Sequence, residues 1–225
     1  MQWTTECIYC QGFLYCLADG RIKCSSCNRK ISKRRMNKII TLIIAFIKNE
    51  NALSLSSRLS LSYVSVQKYY KEFREIGATI CEMQYEEMKE KPCQYEEYFY
   101  LEGSKKFKKE AIFDAYNFLT FDYENHIYTL LMPSLKQYKM EFIEDGVTGV
   151  YADEFSKFKR DNKIIKISEH HNNIVKFWDY FEKKILNYKG VKAEYFIYYL
   201  KEYEFKYNHT QEEAIEFLIK HYFKD

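Results

Sequence analysis

The N-terminal part of the chain carries a helical pattern of apolar residues that begins near Asn37. Six apolar side chains recur there at helical spacing: Ile39, Ile40, Leu42, Ile43, Phe46 and Ile47. Two further helical segments follow, residues 51–59 and 63–76, and residues 60–62 form a predicted tight turn between them. Gly77 is the predicted end of the second segment. The pattern indicates a helix-turn-helix.

The second of these helices has two distinct faces. Ser62 is its predicted N-cap. Its predicted buried face consists of Val64, Tyr69 or Tyr70, and Phe73. Its outer face carries Ser65, Gln67, Lys68, Lys71 and Glu72. Side chains of these types read base edges and bind phosphates when such a helix enters the major groove. Taken alone, the segment is equally consistent with an ordinary three-helix cluster that has a solvated polar face.

The C-terminal two-thirds of the chain changes from strand-like to helical patterns. After a glutamate-rich connector over residues 82–90, strands are predicted over residues 94–101, 111–121, 126–132, 147–152 and 164–167. Helices are predicted over residues 172–186, 193–207 and 211–223. Strands first and helices afterwards suggest a mixed sheet flanked by helices, and the fold class is α/β or α+β.

No segment predicts membrane insertion or secretion. The longest apolar run, Ile39 to Ile47 interrupted by Thr41, has about half the length of a membrane span. Residues 1–6 lack the basic start and apolar stretch of a secretory signal. We therefore expect a cytoplasmic protein without a membrane partner, in which the seven cysteines are reduced or metal-bound.

Composition and charge sharpen this picture. The 225 residues are 47% hydrophobic with only 7 Gly and 2 Pro, which predicts packed domains with short connections. The 18% aromatic residues are spread evenly, which favours packing over base stacking unless a position indicates otherwise. The formal charge of +3 divides unevenly, with +7 on residues 1–48 and −4 on the remainder. This asymmetry predicts an N-terminal part that binds a polyanion.

Four cysteines form two C-x-x-C pairs, Cys7 with Cys10 and Cys24 with Cys27, thirteen residues apart. Two such knuckles aim four thiolates at one point and suit a structural Zn²⁺ ion, as in a zinc ribbon. Asp19 and Gly20 provide a turn between them. The alternative is two fortuitous buried pairs or a redox dithiol. The remaining cysteines, Cys16, Cys81 and Cys93, are not expected to be ligands.

A basic run follows the second knuckle directly and continues to the first predicted helix. Its cationic members are Arg29, Lys30, Lys33, Arg34 and Arg35. Together with the knuckles and the outer face of the second helix, this run favours DNA binding over a plain three-helix cluster.

Two pairs of carboxylates occupy predicted strands, Glu96 with Glu97 and Asp153 with Glu154. Carboxylates from neighbouring strands can hold two Mg²⁺ or Mn²⁺ ions for phosphodiester transfer. Solvated acidic residues at strand ends are the common alternative.

Three segments give the chain a resemblance to bacterial insertion-sequence transposases with a zinc ribbon, a helix-turn-helix and a DDE-type, RNase H-like core. Residues 150–158 (VYADEFSKF) resemble the strand that carries the second catalytic Asp of that family. Residues 170–178 (HHNNIVKFW) resemble its H-x-N-x-I-E-x-F-W helix start, and residues 199–208 (YLKEYEFKYN) its L-x-E-F-x-F-R-Y-N ending. The resemblance covers nearly the whole length. It implies a zinc ribbon over residues 1–35, a helix-turn-helix over 36–80 and an RNase H-like core over 91–225.

The resemblance transfers the catalytic residues unevenly. Asp153 matches the second catalytic Asp, and residues 94–99 (QYEEYF) align with E-x-D-E-x-Y, which places Glu96 at the first. The third acidic position falls on Val175, and the Lys expected seven residues later is Glu182. Asp179 and Glu182 lie one and two turns beyond Val175 and can compensate on the same helical face.

Two functions are therefore expected. The first is a transposase that binds the terminal inverted repeats of double-stranded DNA, self-associates there and cleaves and transfers strands with Glu96, Asp153, Asp179 and Glu182. The alternative, which Val175 favours, is a non-catalytic DNA-binding protein or regulator derived from such an enzyme. A zinc-ribbon module for protein interaction is a third possibility.

Overall fold

A computed structural model describes residues 6–100, 116–133, 172–186, 188 and 193–223. Within these ranges the protein is an α+β structure with six helices and two three-stranded antiparallel sheets. The chain divides into two compact units: unit 1 comprises Met1–Ile80 with His209–Asp225, and unit 2 comprises Cys81–Asn208. No helix in the described ranges is long and apolar enough to cross a membrane. The three predicted segments, 1–35, 36–80 and 91–225, remain a prediction.

The three-stranded sheet of unit 1 is built from short strands that are adjacent in the sequence. Strands β1 (Leu14–Cys16), β2 (Arg21–Cys24) and β3 (Lys30–Ser32) pair antiparallel in that order. The predicted turn between β1 and β2 is confirmed: Gly20 adopts a φ of 77°, and the Asp19 carboxylate accepts the Arg21 N–H at 3.0 Å. A left-handed φ is available to glycine without steric strain, so this residue suits the position.

Helices α1 (Lys33–Ile47), α2 (Ala52–Leu59) and α3 (Tyr63–Met88) complete the N-terminal part of unit 1. The helix start at Lys33 lies four residues before the predicted one, because the Ser32 side chain accepts the Arg35 N–H and caps α1. Asn51 caps α2, and Ser62 accepts the Ser65 N–H at 3.1 Å at the start of α3. The predicted helix, three-residue turn and helix are therefore present.

The structure corrects three predictions about α3. Tyr70 and Phe73 are buried as predicted and contact Phe46, but Val64 is exposed, and Val66 takes its place on the buried face. Gly77 does not end the helix. A glycine inside a helix costs only about 1 kcal/mol, and burial of Ile80 and Cys81 in the next turn favours continuation. Most of the predicted connector over residues 82–90 is consequently helical.

Unit 1 also contains the last helix of the described chain, α6 (Gln211–Tyr222). A capping box starts it: Thr210 accepts the Glu213 N–H, and the Glu213 carboxylate accepts the Thr210 N–H. Its buried face includes Leu218 and Ile219, and the Tyr222 ring meets Phe73 edge-on at 5.6 Å. Here α6 packs on helices that precede it by more than a hundred residues.

Unit 2 is built on the second sheet, with β4 (Gln94–Tyr100), β5 (Tyr116–Tyr123) and β6 (His126–Leu131) in that order. Helices α4 (Asn172–Ile185) and α5 (Ala193–Asn208) pack on one face through an aromatic core that includes Phe118, Phe177, Trp178, Phe181 and Tyr203. The other face packs on the last turns of α3 through Tyr85 and Met88. The strands predicted over 147–152 and 164–167 lie outside the described residues.

Candidate metal centre

Both C-x-x-C knuckles have the same backbone construction. In each, the residue after the second cysteine adopts a left-handed φ of 60°, Gln11 in one and Asn28 in the other. The chain then turns back toward the first cysteine, whose N–H donates to the carbonyl of the residue five positions later. These hydrogen bonds are 2.8 Å from Cys7 to Gly12 and 3.1 Å from Cys24 to Arg29. The sequence repeat is therefore also a structural repeat.

The two knuckles bring the four predicted cysteine ligands together. All four sulfur atoms lie within 4.8 Å of one another. The Sγ atoms of Cys7 and Cys27 are 3.7 Å apart, and those of Cys10 and Cys24 are 3.4 Å apart. A tetrahedral site with Zn–S bonds of about 2.3 Å requires sulfur separations of about 3.8 Å. The cluster could therefore hold a metal ion such as zinc with little rearrangement.

The surroundings of Cys24 and Cys7 shift the pKa values of the two thiols in opposite directions. Backbone N–H groups of Cys27 and Ser26 lower the pKa of Cys24 to about 6, whereas burial raises the pKa of Cys7 to about 12. Because a metal binds the thiolate, Cys24 is ready as a ligand at neutral pH. The positive charge of a bound ion would compensate the burial of Cys7.

The knuckles approach each other so closely that one position has no room for a side chain. A Cβ added to Gly12 would lie 2.3 Å from Ser26 Oγ and 3.1 Å from Cys24 Sγ. The Ser25 N–H donates to the Phe13 carbonyl at 2.9 Å, and the Arg29 guanidinium lies 4.1 Å above the Tyr9 ring. Glycine at position 12 and these cross-contacts thus hold the cysteines in register.

The predicted DNA-binding side chains lie at the surface of unit 1. All nine are exposed: Arg29, Lys30, Lys33, Arg34, Arg35, Ser65, Gln67, Lys68 and Lys71. The Ser65 hydroxyl contacts that of Ser62 at 2.7 Å, and Lys71 lies 3.7 Å from Glu75 on the same helix. These side chains are accessible to a large partner.

Three of the four predicted catalytic carboxylates lie on one side of the second sheet, and Asp153 lies outside the described residues. Glu96 shares a face of β4 with Tyr98, since alternate strand residues point the same way. The Tyr98 hydroxyl donates to the Glu182 carboxylate of α4. Asp179, also on α4, is close enough for its charge to help raise the pKa of Tyr98.

These carboxylates do not form a cluster comparable with the cysteines. Within the described ranges, the four cysteines form the one group of three or more potential ligands whose atoms come within 4.8 Å. Val175, one turn before Asp179, is 52% exposed and brings no ligand atom. The residues described are consistent with a shared location for Glu96, Asp179 and Glu182, without a complete metal site.

Sequence reasoning missed the residue that links the two elements, Tyr98. Its ring stacks on Trp178 with centroids 3.8 Å apart, and the Trp178 indole N–H donates to Thr120 Oγ1 at 3.0 Å. Burial and the hydrogen bond to Glu182 raise the pKa of Tyr98, so it remains a proton donor. The alternation of Glu96 and Tyr98 on a predicted strand was the one signal that could have indicated it.

No model of a known protein family matches the chain, and comparisons with curated proteins and with solved structures also find no match.

Proposed function

We propose that the protein is a DNA-binding protein of the transposase type, whose N-terminal zinc ribbon and helix-turn-helix bind double-stranded DNA. One observation carries the proposal: the strand that leaves the four-cysteine cluster, β3, continues without a linker into α1. Five exposed cations therefore lie on one continuous stretch that runs from the second knuckle through β3 into the first turn of α1: Arg29, Lys30, Lys33, Arg34 and Arg35.

The start of α1 favours an anion for two independent reasons. The free N–H groups at a helix N-terminus carry a partial positive charge. The first turn of α1 contains no acidic residue and instead carries Lys33, Arg34 and Arg35. Cations at this end of a helix are unfavourable by themselves, and a phosphate would relieve their repulsion. This arrangement supports a phosphate backbone as the partner.

Helix α3 would supply the sequence-reading contacts. Its inner residues Val66, Tyr70 and Phe73 are buried, and the Tyr70 hydroxyl donates to the Glu50 carbonyl at 2.9 Å. The outer side chains Gln67, Lys68 and Lys71 project from the opposite face. Because its buried face anchors α3, the polar face on the opposite side can enter the major groove.

Replacing Arg34 and Arg35 by Gln is expected to weaken binding to a 30-base-pair duplex about tenfold or more at 0.1 M salt. Each lost phosphate contact also reduces the slope of log affinity against log salt by about 0.9, so the slope should fall by about 2. Fluorescence anisotropy at several salt concentrations measures both quantities.

The matched control for this experiment is Lys183→Gln with Lys220→Gln, two exposed lysines outside the proposed surface. Equal affinity and equal salt slope for the two double variants would show that the basic run does not contact phosphates. A wild-type protein without salt-dependent DNA affinity would instead favour a protein-interaction module.

A second candidate function is metal-dependent DNA strand cleavage and transfer at inverted repeats. The observation that favours it is that Asp179 and Glu182 lie near Tyr98, which shares a face of β4 with Glu96. With Asp153, these carboxylates would hold Mg²⁺ or Mn²⁺. Such ions activate the attacking oxygen and stabilise the leaving one. The exposed Val175 favours the non-catalytic alternative.

Nicking of a supercoiled plasmid that carries the inverted repeats, with Mg²⁺ or Mn²⁺, tests this candidate. We expect nicking to fall at least about a hundredfold in Asp153→Asn and in Glu96→Gln, since each removes a metal ligand. Glu97→Gln, on the adjacent position of β4, is the control and should retain activity. Wild-type protein that binds these repeats but leaves the plasmid intact with either metal would exclude the enzyme.

A further inference from the structure

The three-stranded sheet beside the cysteine cluster has two chemically different faces. The register aligns Leu14 with Cys24, and Ile22 with Ile31, on the inner face, where all four are buried. The outer face is set by the alternate residues. There Tyr15 is opposite Lys23, and Lys23 is opposite Lys30, so that these three residues form a row across the sheet.

Two aromatic rings of this outer face are exposed. Phe13, two residues before Tyr15 and therefore on the same face, is 67% exposed, and Tyr15 is 38% exposed. Among the phenylalanines whose side chains the structure describes, only Phe13 is exposed. The aromatic side chains elsewhere in these ranges largely fill the cores, so Phe13 has no comparable packing role. Its exposed position on the sheet is typical of a residue that contacts a partner.

The charge around these rings is positive on balance. Lys30 is exposed and Lys23 is half-buried on the outer face. Two acidic residues lie nearby: Glu6, which is exposed and pairs with Phe13 in an isolated bridge, and Asp19, which accepts hydrogen bonds from Arg21 Nε, at 2.8 Å, and from the terminal nitrogen of Arg21. Since the pair of Asp19 and Arg21 is neutral, the two lysines outnumber Glu6 and the face keeps a net positive charge.

The spacing of the rings distinguishes between nucleic-acid partners. Residues two apart on a strand are separated by about 7 Å, which is twice the base spacing of about 3.4 Å along one strand of a stacked duplex. Bases in a duplex also have both faces covered by neighbouring base pairs. Bases of an extended single strand are further apart and present free faces for stacking.

We propose that the outer face of β1–β2–β3 binds single-stranded nucleic acid, with unpaired bases stacked on Phe13 and Tyr15 and phosphates held by Lys23 and Lys30. The proposed duplex binding depends mainly on the start of α1 and on α3; it shares Lys30 with this face, but not Phe13 or Tyr15. The partner is identified by its chemistry: a polyanion that also presents flat, unpaired aromatic faces.

Anisotropy of a fluorescein-labelled 12-nucleotide oligo(dT), titrated with the 225-residue chain prepared in the presence of zinc, tests the proposal. Phe13→Ser with Tyr15→Ser is expected to weaken binding at least about 25-fold, because each lost base–aromatic stack weakens binding at least about fivefold. Phe13→Tyr retains a ring and should bind like the wild type. The control is Tyr195→Ser with Tyr198→Ser, two tyrosines of unit 2 that are 44% and 37% exposed.

Duplex binding and zinc content are measured on the same variants, and both should be unchanged in Phe13→Ser with Tyr15→Ser. The proposal is overturned if the wild type does not bind oligo(dT) at low salt, or if the aromatic variant binds it as well as the control does. Polyglutamate that competes as strongly as oligo(dT) also overturns it, because the face would then be a general anion surface. If Arg34→Gln with Arg35→Gln loses duplex binding, and Phe13→Ser with Tyr15→Ser does not, the two activities depend on different residues.

Discussion

Replacement of Cys24 by serine is expected to abolish metal binding and to unfold the N-terminal sheet. The sheet has three short strands and only a few buried apolar residues, among them Leu14, Ile22 and Ile31, so hydrophobic burial alone contributes little stability. Structural zinc contributes about 10–16 kcal/mol of apparent binding free energy in zinc-finger peptides at neutral pH. Loss of one thiolate should therefore remove most of the stability of residues 6–32.

Zinc content and amide hydrogen exchange measure this effect. Zinc should fall from about one ion per chain to less than about a tenth, and the amides of β2 should lose their protection. Cys16→Ser is the matched control, because Cys16 lies on β1 outside the four-cysteine cluster. A Cys24→Ser protein that retained zinc and a protected sheet would contradict a structural role for the cluster.

The second large effect is expected in unit 2, where a lysine and a glutamate of α5 are buried together. Lys201 Nζ lies 2.9 Å and 3.2 Å from the two oxygens of Glu204, and 3.7 Å from the centroid of the Tyr128 ring. The Glu204 carboxylate also accepts the N–H of Thr129 at 2.8 Å. Lys201→Met leaves this carboxylate buried without its cation, which should destabilise unit 2 by about 3–5 kcal/mol.

Urea unfolding followed by tryptophan fluorescence measures the loss, since Trp178 lies in the core of unit 2. Lys201→Met with Glu204→Gln should recover much of the stability, because it removes the uncompensated charge together with its partner. Lys183→Met, at an exposed position, is the control. A loss below about 1 kcal/mol in Lys201→Met would contradict the proposed importance of the pair.

The pH dependence of this variant follows from the pKa of Glu204. Burial raises that pKa in the folded protein, and Lys201 and Thr129 oppose the increase. Without Lys201 the folded-state pKa should rise further. A raised carboxyl pKa means that the folded state binds a proton more readily than the unfolded state, so stability increases as the pH falls. The deficit of Lys201→Met should therefore shrink between about pH 7 and pH 5.

Secondary structure was predictable wherever local signals agreed. Asn51 and Ser62 are good caps, and the first residue of each helix they start was predicted within one residue. The extent of α3 was not predictable from Gly77, because burial of Ile80 and Cys81 outweighs the small local penalty. The inner face of this helix does follow helical spacing, since Val66, Tyr70 and Phe73 stand at i, i+4 and i+7, and Val64 does not belong to that stripe.

The two candidate sites differ in predictability for a physical reason. The cysteine cluster depends on short knuckles whose geometry is local, so spacing alone identified its four residues. The carboxylate region depends on contacts between distant elements, such as that between Tyr98 and Glu182, which are 84 residues apart. Spacing carries no information about such a pair.

The position of α6 determines the order in which the protein can fold during synthesis. Phe223 contacts the Tyr9 ring edge-on at 6.4 Å, and Tyr222 contacts Phe73, so the N-terminal knuckle and the first helices pack on the last described residues. Unit 2 is continuous in the sequence, whereas unit 1 is completed by a segment that follows unit 2, His209–Asp225. Because contacts of high sequence separation form late, unit 1 is expected to complete its packing after unit 2.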